Sequence, residues 1–146
     1  MIEIEFPANN FKIKQDKGKD IIFDSLRKQW IVLTPEEWVR QNFVQYLTQI
    51  KNYPASLIAI EREIMLGDLK KRFDIVVYKN ASPCMIIECK EMNVPLNEAT
   101  LKQVLNYNIT LRVEYLVITN GKQTFGVRLN EKQHQWLKEI PDFNLI

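Results

Sequence analysis

Two short apolar runs that each carry charged residues constrain this chain more than any other feature. The first, residues 73–78, reads Phe-Asp-Ile-Val-Val-Tyr, and the second, residues 85–90, reads Met-Ile-Ile-Glu-Cys-Lys. Aliphatic and aromatic runs of this length, separated by turn-forming residues, predict two strands of a hairpin. Because side chains alternate across a strand, Glu88 and Lys90 share one face. The hairpin can bring Asp74 beside Glu88.

The two acids of this hairpin predict a metal site. A charged group on a buried strand is costly unless it binds something. Asp74 and Glu88 supply the oxygen ligands that Mg²⁺ prefers, and the main-chain carbonyl of Cys89 could be a third ligand. A bound Mg²⁺ can activate water and neutralise a leaving oxygen, which is what phosphodiester hydrolysis needs. Lys90 could orient or deprotonate that water, or stabilise charge on the phosphate. The alternative is that Glu88 and Lys90 form an ordinary ion pair on an edge strand.

Length and composition bound the class of protein. A chain of 146 residues predicts a single domain over residues 1–146. Its 46% hydrophobic and 26% charged residues are typical of a soluble globular domain. The formal net charge of +2 is too small to identify a nucleic-acid-binding protein. Any DNA contact must therefore come from local basic clusters, although each could equally be a solvated charged face. The candidate clusters are Lys12, Lys14, Lys17 and Lys19; Arg27 and Lys28; and Lys70, Lys71 and Arg72.

Cysteine content and hydropathy indicate a cytoplasmic protein. Cys84 and Cys89 are five residues apart, so on a regular strand they face opposite sides and cannot readily form a disulfide. Two cysteines and one histidine do not supply a zinc cage. No apolar run approaches ~20 residues, so we expect no membrane span. The N-terminus lacks the basic-then-apolar pattern of a signal peptide.

Residues 1–33 are predicted to be a β-rich lead-in that covers one side of the core. Apolar residues alternate with charged ones or form short runs, and turn formers at residues 16–19 would close a hairpin. The predicted strands lie at residues 2–6, 11–14, 21–24 and 30–33.

A helix is predicted to begin at residue 34 and to carry two acids in its first turn. Thr34 can act as the N-cap, Pro35 suits the first helical position, and Glu37 completes a capping box. At about 100° per residue, Glu36 lies within the apolar stripe and Glu37 lies opposite. Glu36 could therefore bind something in the core, or it could simply interact with the positive end of the helix dipole. The apolar stripe consists of Val39, Phe43, Tyr46, Leu47 and Ile50.

The remaining chain predicts an α/β fold: a mixed central sheet of about four strands flanked by helices, with the additional β structure at the N-terminus. We assign residues 34–130 to the core and residues 131–146 to a C-terminal helical segment. The strand of residues 115–119 is apolar throughout and is predicted to be central. The predicted elements are strands at 57–64, 73–78, 84–90, 115–119 and 124–129, and helices at 97–108 and 131–140.

Taken in order, these motifs resemble the N-terminal nuclease domain of type I restriction enzyme R (HsdR) subunits, a member of the PD-(D/E)xK nuclease superfamily. Asp74 followed by Glu88-Cys89-Lys90 resembles the superfamily core, with Phe73 where that pattern often has proline. The resemblance covers roughly residues 20–130. The matching stretches are LTPEEWVRQ at 33–41, KRFDIVV at 71–77, IIECK at 86–90, QVLNYN at 103–108 and YLVITNG at 115–121.

This resemblance implies a restriction-endonuclease-like core and a metal-dependent DNA endonuclease, with Mg²⁺ as the cofactor and Mn²⁺ as a possible substitute. It implies that Asp74 and Glu88 bind the metal, that Lys90 is catalytic, and that a first-helix acid completes the metal shell through water. We expect that acid to be Glu36. The pair Gln103-x-x-x-Tyr107 resembles the QxxxY motif that supports the site or contacts DNA in R subunits and RecB-like nucleases.

One departure from the family concerns the motor. R subunits carry an ATP-driven translocase after the nuclease domain, whereas this sequence has four glycines and no Gly-x-x-x-x-Gly-Lys-Ser/Thr loop. We therefore expect a free-standing nuclease, or one that acts with other restriction-system subunits. Two cuts in a duplex need two sites, which makes a homodimer attractive. A non-catalytic module on the same fold, binding nucleic acid or a protein partner, is the alternative.

Overall fold

The computed structural model describes residues 1–66, 68–108, 113–130 and 133–146, and the side chains at 66, 69 and 105–108 also lie outside the described part. Within it the chain is a mixed α/β structure with a three-stranded sheet and a six-stranded sheet. None of the described helices is long and apolar enough to cross a membrane.

The small sheet confirms most of the predicted N-terminal β structure. Its strands β1 (Ile13–Asp16), β2 (Lys19–Asp24) and β3 (Gln29–Val32) are antiparallel. The strand predicted at residues 2–6 is absent. Ile2 instead buries its side chain and donates one main-chain hydrogen bond of 2.7 Å to the carbonyl of Thr124. A single anchoring bond replaces the expected ladder, and Pro7 could not have extended that ladder.

Helix α1 (Pro35–Gln49) begins as predicted. The Thr34 side-chain oxygen accepts a 3.0 Å hydrogen bond from the main-chain N–H of Glu37, and Pro35 lies in the first turn. The predicted apolar stripe is buried except at its end, because Ile50 is the C-cap and is 49% exposed. The buried members of the stripe are Val39, Phe43, Tyr46 and Leu47.

The large sheet contains six strands rather than the predicted four or so. They lie in the spatial order β4-β5-β6-β7-β8-β9, with only the β6–β7 pair parallel. Helix α2 (Glu98–Asn108) forms the crossover between β6 and β7, as a parallel pair requires. The strands are β4 (Ile58–Leu66), β5 (Leu69–Lys79), β6 (Ser82–Cys89), β7 (Tyr115–Thr119), β8 (Thr124–Leu129) and β9 (His134–Trp136).

The C-terminal helix predicted at residues 131–140 is wrong over the described residues of that range. Strand β9 pairs there with the open edge of β8. The main-chain N–H of Leu137 then donates to the carbonyl of Gly126 at 2.8 Å, and a Cβ at position 126 would lie 3.0 Å from the Leu137 side chain. The edge of β8 and the space above Gly126 are tertiary features, so the local pattern around Trp136 and Ile140 could not reveal them.

Apolar side chains on both faces of the large sheet build the core. Helix α1 covers one face, where Ile75, Val77 and Ile87 belong to the same buried cluster as Phe43 and Leu47. The other face carries Leu101 of α2 in a second cluster. The strand partners of Leu101 are Phe73, Val76, Ile86, Leu116 and Ile118. A sheet buried on both faces explains why β7 is apolar throughout.

Candidate active site

The hairpin of β5 and β6 brings the two predicted acids together. Ile75 pairs with Ile87, so Asp74 and Glu88 occupy the next opposed positions along the two strands. The Asp74 carboxylate accepts a 2.8 Å hydrogen bond from the main-chain N–H of Cys89, which fixes its orientation. The pair lies where β6 ends while β5 continues. The expectation that the hairpin would place Asp74 beside Glu88 is therefore met.

Glu88 is electrostatically unusual. Its Oε1 atom is buried and has no hydrogen-bond partner among the described residues. The pKa of Glu88 is raised from 4.5 to about 8, chiefly by burial and then by the hydrogen bond and charge of Asp74, against the opposing charges of Lys71 and Lys90. Two carboxylates are held close together at this point with too little positive charge to keep both ionised. A cation bound between them would stabilise the ionised form of Glu88.

The donors at this position fit a hard divalent cation bound through oxygen. Mg²⁺ is commonly held by one or two carboxylates together with water and substrate phosphate, and the partnerless Oε1 of Glu88 is one such donor. The part of the chain that the structure describes contains no group of three or more His, Cys, Asp or Glu residues arranged as a metal cage. Further ligands must therefore be main-chain carbonyls, water or substrate.

The thiol of Cys89 does not take part in this donor set. Burial raises the pKa of Cys89 well above its usual range, so the thiol stays protonated. Its side chain belongs to the cluster on the α1 face of the sheet. Any role of Cys89 as a ligand is therefore limited to its main-chain carbonyl, as the sequence analysis had it.

Lys90 follows β6 directly and is exposed. Its main-chain N–H donates a 2.8 Å hydrogen bond to the carbonyl of Thr119, which fixes the backbone at this point. The charge of its ammonium group lowers the pKa of both Glu88 and Glu36. Lys90 is therefore an accessible cation beside the acid pair.

The burial of the two acids in the first helical turn is the reverse of the prediction. The Glu37 side chain is 4% exposed, whereas that of Glu36 is 45% exposed. The Glu37 carboxylate contacts Arg27 at 2.8 Å and Arg40 at 3.3 Å. The helical wheel failed because Arg27, which follows β2, covers the face of α1 that the wheel assigned to solvent. Among the described residues, the main-chain N–H of Thr34 donates no hydrogen bond to the Glu37 carboxylate. Only the half of the capping box in which Thr34 accepts is therefore present.

Glu36 nevertheless lies toward the acid pair. Burial raises its pKa, the charge of Asp74 raises it further, and the charges of Arg40 and Lys90 lower it. Its carboxylate also lies 3.8 Å from Arg40. Glu36 is thus the acid of α1 whose pKa is shifted by the charges of Asp74 and Lys90, although it does not face the core.

Arg40 and Glu61 are parts of this region that the sequence analysis missed. The Arg40 guanidinium is 6% exposed and lies 3.2 Å from Glu61 and 3.9 Å from Asp74. Glu61 is the position on β4 opposite Asp74, where the ladder of paired residues is interrupted, and its φ of 50° is unusual for a residue other than glycine. The sequence did contain a signal for Arg40, which directly follows Val39 of the apolar stripe. Nothing in the local sequence marks Glu61.

Of the two predicted site residues on α2, only Gln103 has a described side chain. Gln103 lies on the helix and is exposed, and it has no hydrogen bond to Asp74 or Glu88 among the described residues. Tyr107 is part of the same helix, but its side chain lies outside the described residues. Their predicted contribution to the site stays a prediction.

One of two comparisons with known proteins identifies the family of this chain. A search of curated proteins gave no match. A family model described as type I restriction enzyme R protein N terminus matches residues 35–141, which include α1, the acid pair and β7. This match covers most of the chain and includes all seven predicted site residues. The chain belongs to the type I restriction enzyme R protein N-terminal family.

Proposed function

We propose that this domain is a DNA endonuclease that hydrolyses phosphodiester bonds with Mg²⁺ bound at Asp74 and Glu88. The observation that carries the proposal is the buried Oε1 of Glu88, which has no hydrogen-bond partner in the described part of the chain and lies beside the Asp74 carboxylate. Membership of the restriction-enzyme family supports the same reading. We assign the β4–β7 sheet with α1 and α2 to a restriction-endonuclease-like core of the PD-(D/E)xK type.

Each residue of the site has a proposed role. Asp74, Glu88 and the main-chain carbonyl of Cys89 would hold Mg²⁺ or Mn²⁺, with Glu36 joined to the ion through water. When bound, the ion supplies a water of lowered pKa and positive charge beside the leaving oxygen. Lys90 Nζ would donate a hydrogen bond to the attacking water or to a non-bridging phosphate oxygen.

The partners follow from the same proposal. DNA is the substrate, and Gln103 and Tyr107 would support the site or contact the strand. A second copy of the chain, or another restriction-system subunit, would supply the second cut in a duplex. A non-catalytic DNA-binding or partner-binding module remains the outcome if the test below fails.

The test is cleavage of supercoiled and linear DNA in Mg²⁺ or Mn²⁺. We expect the wild-type chain to cut, and Asp74→Ala, Glu88→Ala and Lys90→Ala each to lower the rate by at least about 100-fold. Glu139→Ala removes an exposed acid of the C-terminal segment and should leave the rate unchanged. An inactive wild type, or site variants that cut as fast as wild type, would refute the proposal.

A further inference from the structure

The longest hairpin of the described chain continues past the acid pair as a two-stranded ribbon. Strand β6 pairs with β5 only over residues 75–79, while β4 and β5 remain paired as far as Leu66 and Leu69. We call residues 62–66 and 69–72 the β4–β5 ribbon. Its five residues on β4 extend about 16 Å at ~3.3 Å per residue. The ribbon therefore leaves the sheet at Asp74 and projects beyond the site.

The β4–β5 ribbon carries a net positive charge. The segment 62–72 contains four cationic and two acidic side chains, a net charge of +2. Residues 12–19 carry four lysines and one acid, a net charge of +3, but it is the ribbon that continues directly from Asp74. Positive charge at that place attracts a polyanion toward the acid pair. The cations are Arg62, Lys70, Lys71 and Arg72, and the acids are Glu63 and Asp68.

Cations lie on both faces of the ribbon. Cross-strand partners share a face, and Met65 pairs with Lys70, whereas Ile64 pairs with Lys71. Lys70 is exposed, and Arg72 on the same face is 62% exposed. The only ion pair that the structure records for Arg72 is one of 3.9 Å with Glu63, also exposed, and such pairs contribute little.

The base of the ribbon is anchored to the domain. Phe73 is fully buried in the α2-side cluster, and Ile64 packs against the same cluster. The Lys71 ammonium lies 5.1 Å from the Phe73 ring centroid. Met65, the next residue of β4, is 55% exposed. The ribbon is thus held firmly next to Asp74 and is accessible further out.

We propose that the β4–β5 ribbon is the DNA-docking arm of this domain and enters a groove of duplex DNA so that a phosphodiester lies against Asp74 and Glu88. This inference rests on the proposed nuclease function. The major groove admits a two-stranded β-ribbon and is bounded by phosphates on two walls. Cations on both faces of the ribbon match the two phosphate walls of the groove. Single-stranded DNA would offer only one row of phosphates. Lys70 and Arg72 contact phosphate, and they position the duplex without taking part in the chemistry.

The test compares DNA binding of two double variants at matched charge. Lys70→Ala/Arg72→Ala alters the ribbon, and Lys17→Ala/Lys19→Ala removes the same charge from the β1–β2 hairpin, where both lysines are exposed. Binding of a labelled 25-bp duplex is measured by anisotropy in EDTA, at salt concentrations from about 50 to 200 mM. All four residues are exposed, so thermal melting should show that both variants remain folded.

We expect the ribbon variant to weaken duplex binding about tenfold and to lower the slope of log affinity against log salt by about 2, because each phosphate contact contributes ~0.9. The β1–β2 variant should bind within twofold of wild type. Equal losses in both variants, or a ribbon variant that binds as wild type does, would overturn the inference. So would an equal fold loss on a single strand of the same sequence, since no groove is present there.

Cleavage kinetics separate this inference from the proposed function. The ribbon variant should raise KM for duplex DNA about tenfold with kcat unchanged, because it removes binding that does not change in the transition state. If wild type binds DNA through the ribbon but never cuts, the nuclease proposal fails and the docking arm stands. If wild type cuts and the ribbon variant cuts with the same KM, the docking arm fails and the nuclease stands.

Discussion

Acids lie inside the molecule in two regions, and they differ in how closely cations pair with them. Beside the first turn of α1, Asp24 accepts hydrogen bonds from the main-chain N–H groups of Leu26 and Arg27 and pairs with the Arg27 guanidinium. Arg27 also pairs with Glu37. In the large sheet, by contrast, Glu88 lies beside another carboxylate and leaves one oxygen without a partner.

The pKa shifts of Asp24 and Glu88 have opposite directions for a physical reason. Burial raises the pKa of both Asp24 and Glu88, and it is the largest single cause in each case. For Asp24 the hydrogen bonds and charge of Arg27 together outweigh burial, so its pKa falls below 3.8. For Glu88 the charge of Asp74 adds to burial. The first region is thus a network of paired acids and cations, whereas in the second we propose that a further cation pairs with Glu88.

Arg40 connects the two regions. It lies 3.3 Å from Glu37 in the first and 3.9 Å from Asp74 in the second. Its Nε and Nη1 atoms are buried and have no hydrogen-bond partner among the described residues, so its attraction to these acids is mainly electrostatic.

The largest expected effect is loss of stability on Glu37→Ala. This change leaves Arg27 and Arg40 without their shared buried acid, and removal of one member of a buried ion pair typically costs about 3–5 kcal/mol. Urea unfolding measures it. Glu36→Ala is the matched control, because a 45% exposed acid should change stability by no more than about 0.5 kcal/mol. Similar losses in the two variants would contradict the distinction between them.

A smaller effect of opposite sign is expected from Glu88→Gln. The folded-state pKa of Glu88 is about 8 and its usual value is 4.5, so the folded chain holds a proton that the unfolded chain releases between these values. Wild-type stability therefore falls as pH rises through that window, while glutamine does not titrate. Relative to wild type, the free energy of unfolding of the variant should rise by up to about 3 kcal/mol between pH 5.5 and pH 7.5.

Asp24→Asn provides the opposite control for this pH series. The folded-state pKa of Asp24 is lowered, so its charge contributes stability above about pH 3.8 that is lost as pH falls through the folded value. The asparagine variant should be less stable than wild type throughout pH 5.5–7.5, with a constant difference. A Glu88→Gln difference that is equally constant with pH would show that Glu88 is not held protonated.

The smallest effect is stabilisation by metal. At tenfold excess over the dissociation constant, Mn²⁺ should stabilise the folded chain by about 1.4 kcal/mol if it binds only the folded state. Thermal melting with and without Mn²⁺ measures this shift. Asp24→Asn should respond as wild type does, and Glu88→Gln should not respond. Equal responses in the two variants would place the metal elsewhere.

Much of the fold was predictable because its signals are local. The cap at Thr34, the apolar stripe of α1 and the apolar runs of β5, β6 and β7 depend on neighbouring residues, and the structure has all of them. The juxtaposition of Asp74 and Glu88 was also predictable, since a short hairpin turn determines which residues face each other. The family was recognised from the same stretches, and the match over residues 35–141 confirms it.

The failures share one cause, which is contact between segments distant in the sequence. Residues 134–136 are a strand because the edge of β8 was free to pair with them. Glu37 is buried because Arg27, in the turn between β2 and β3, forms an ion pair with it, although the helical wheel placed Glu37 toward solvent. The position of Glu61 opposite Asp74 depends on the register between β4 and β5.

The sequence by itself determined the elements, the family and the acid pair, because periodicity, capping and hairpin pairing operate over a few residues. Only the tertiary structure decided which acids are neutralised. Burial acts on every acid in the interior, but the compensating cation comes from a different part of the chain, as Arg27 does for Asp24 and Glu37. Among the described residues Glu88 has no such partner at its Oε1, and that difference is the basis of the proposed cation site.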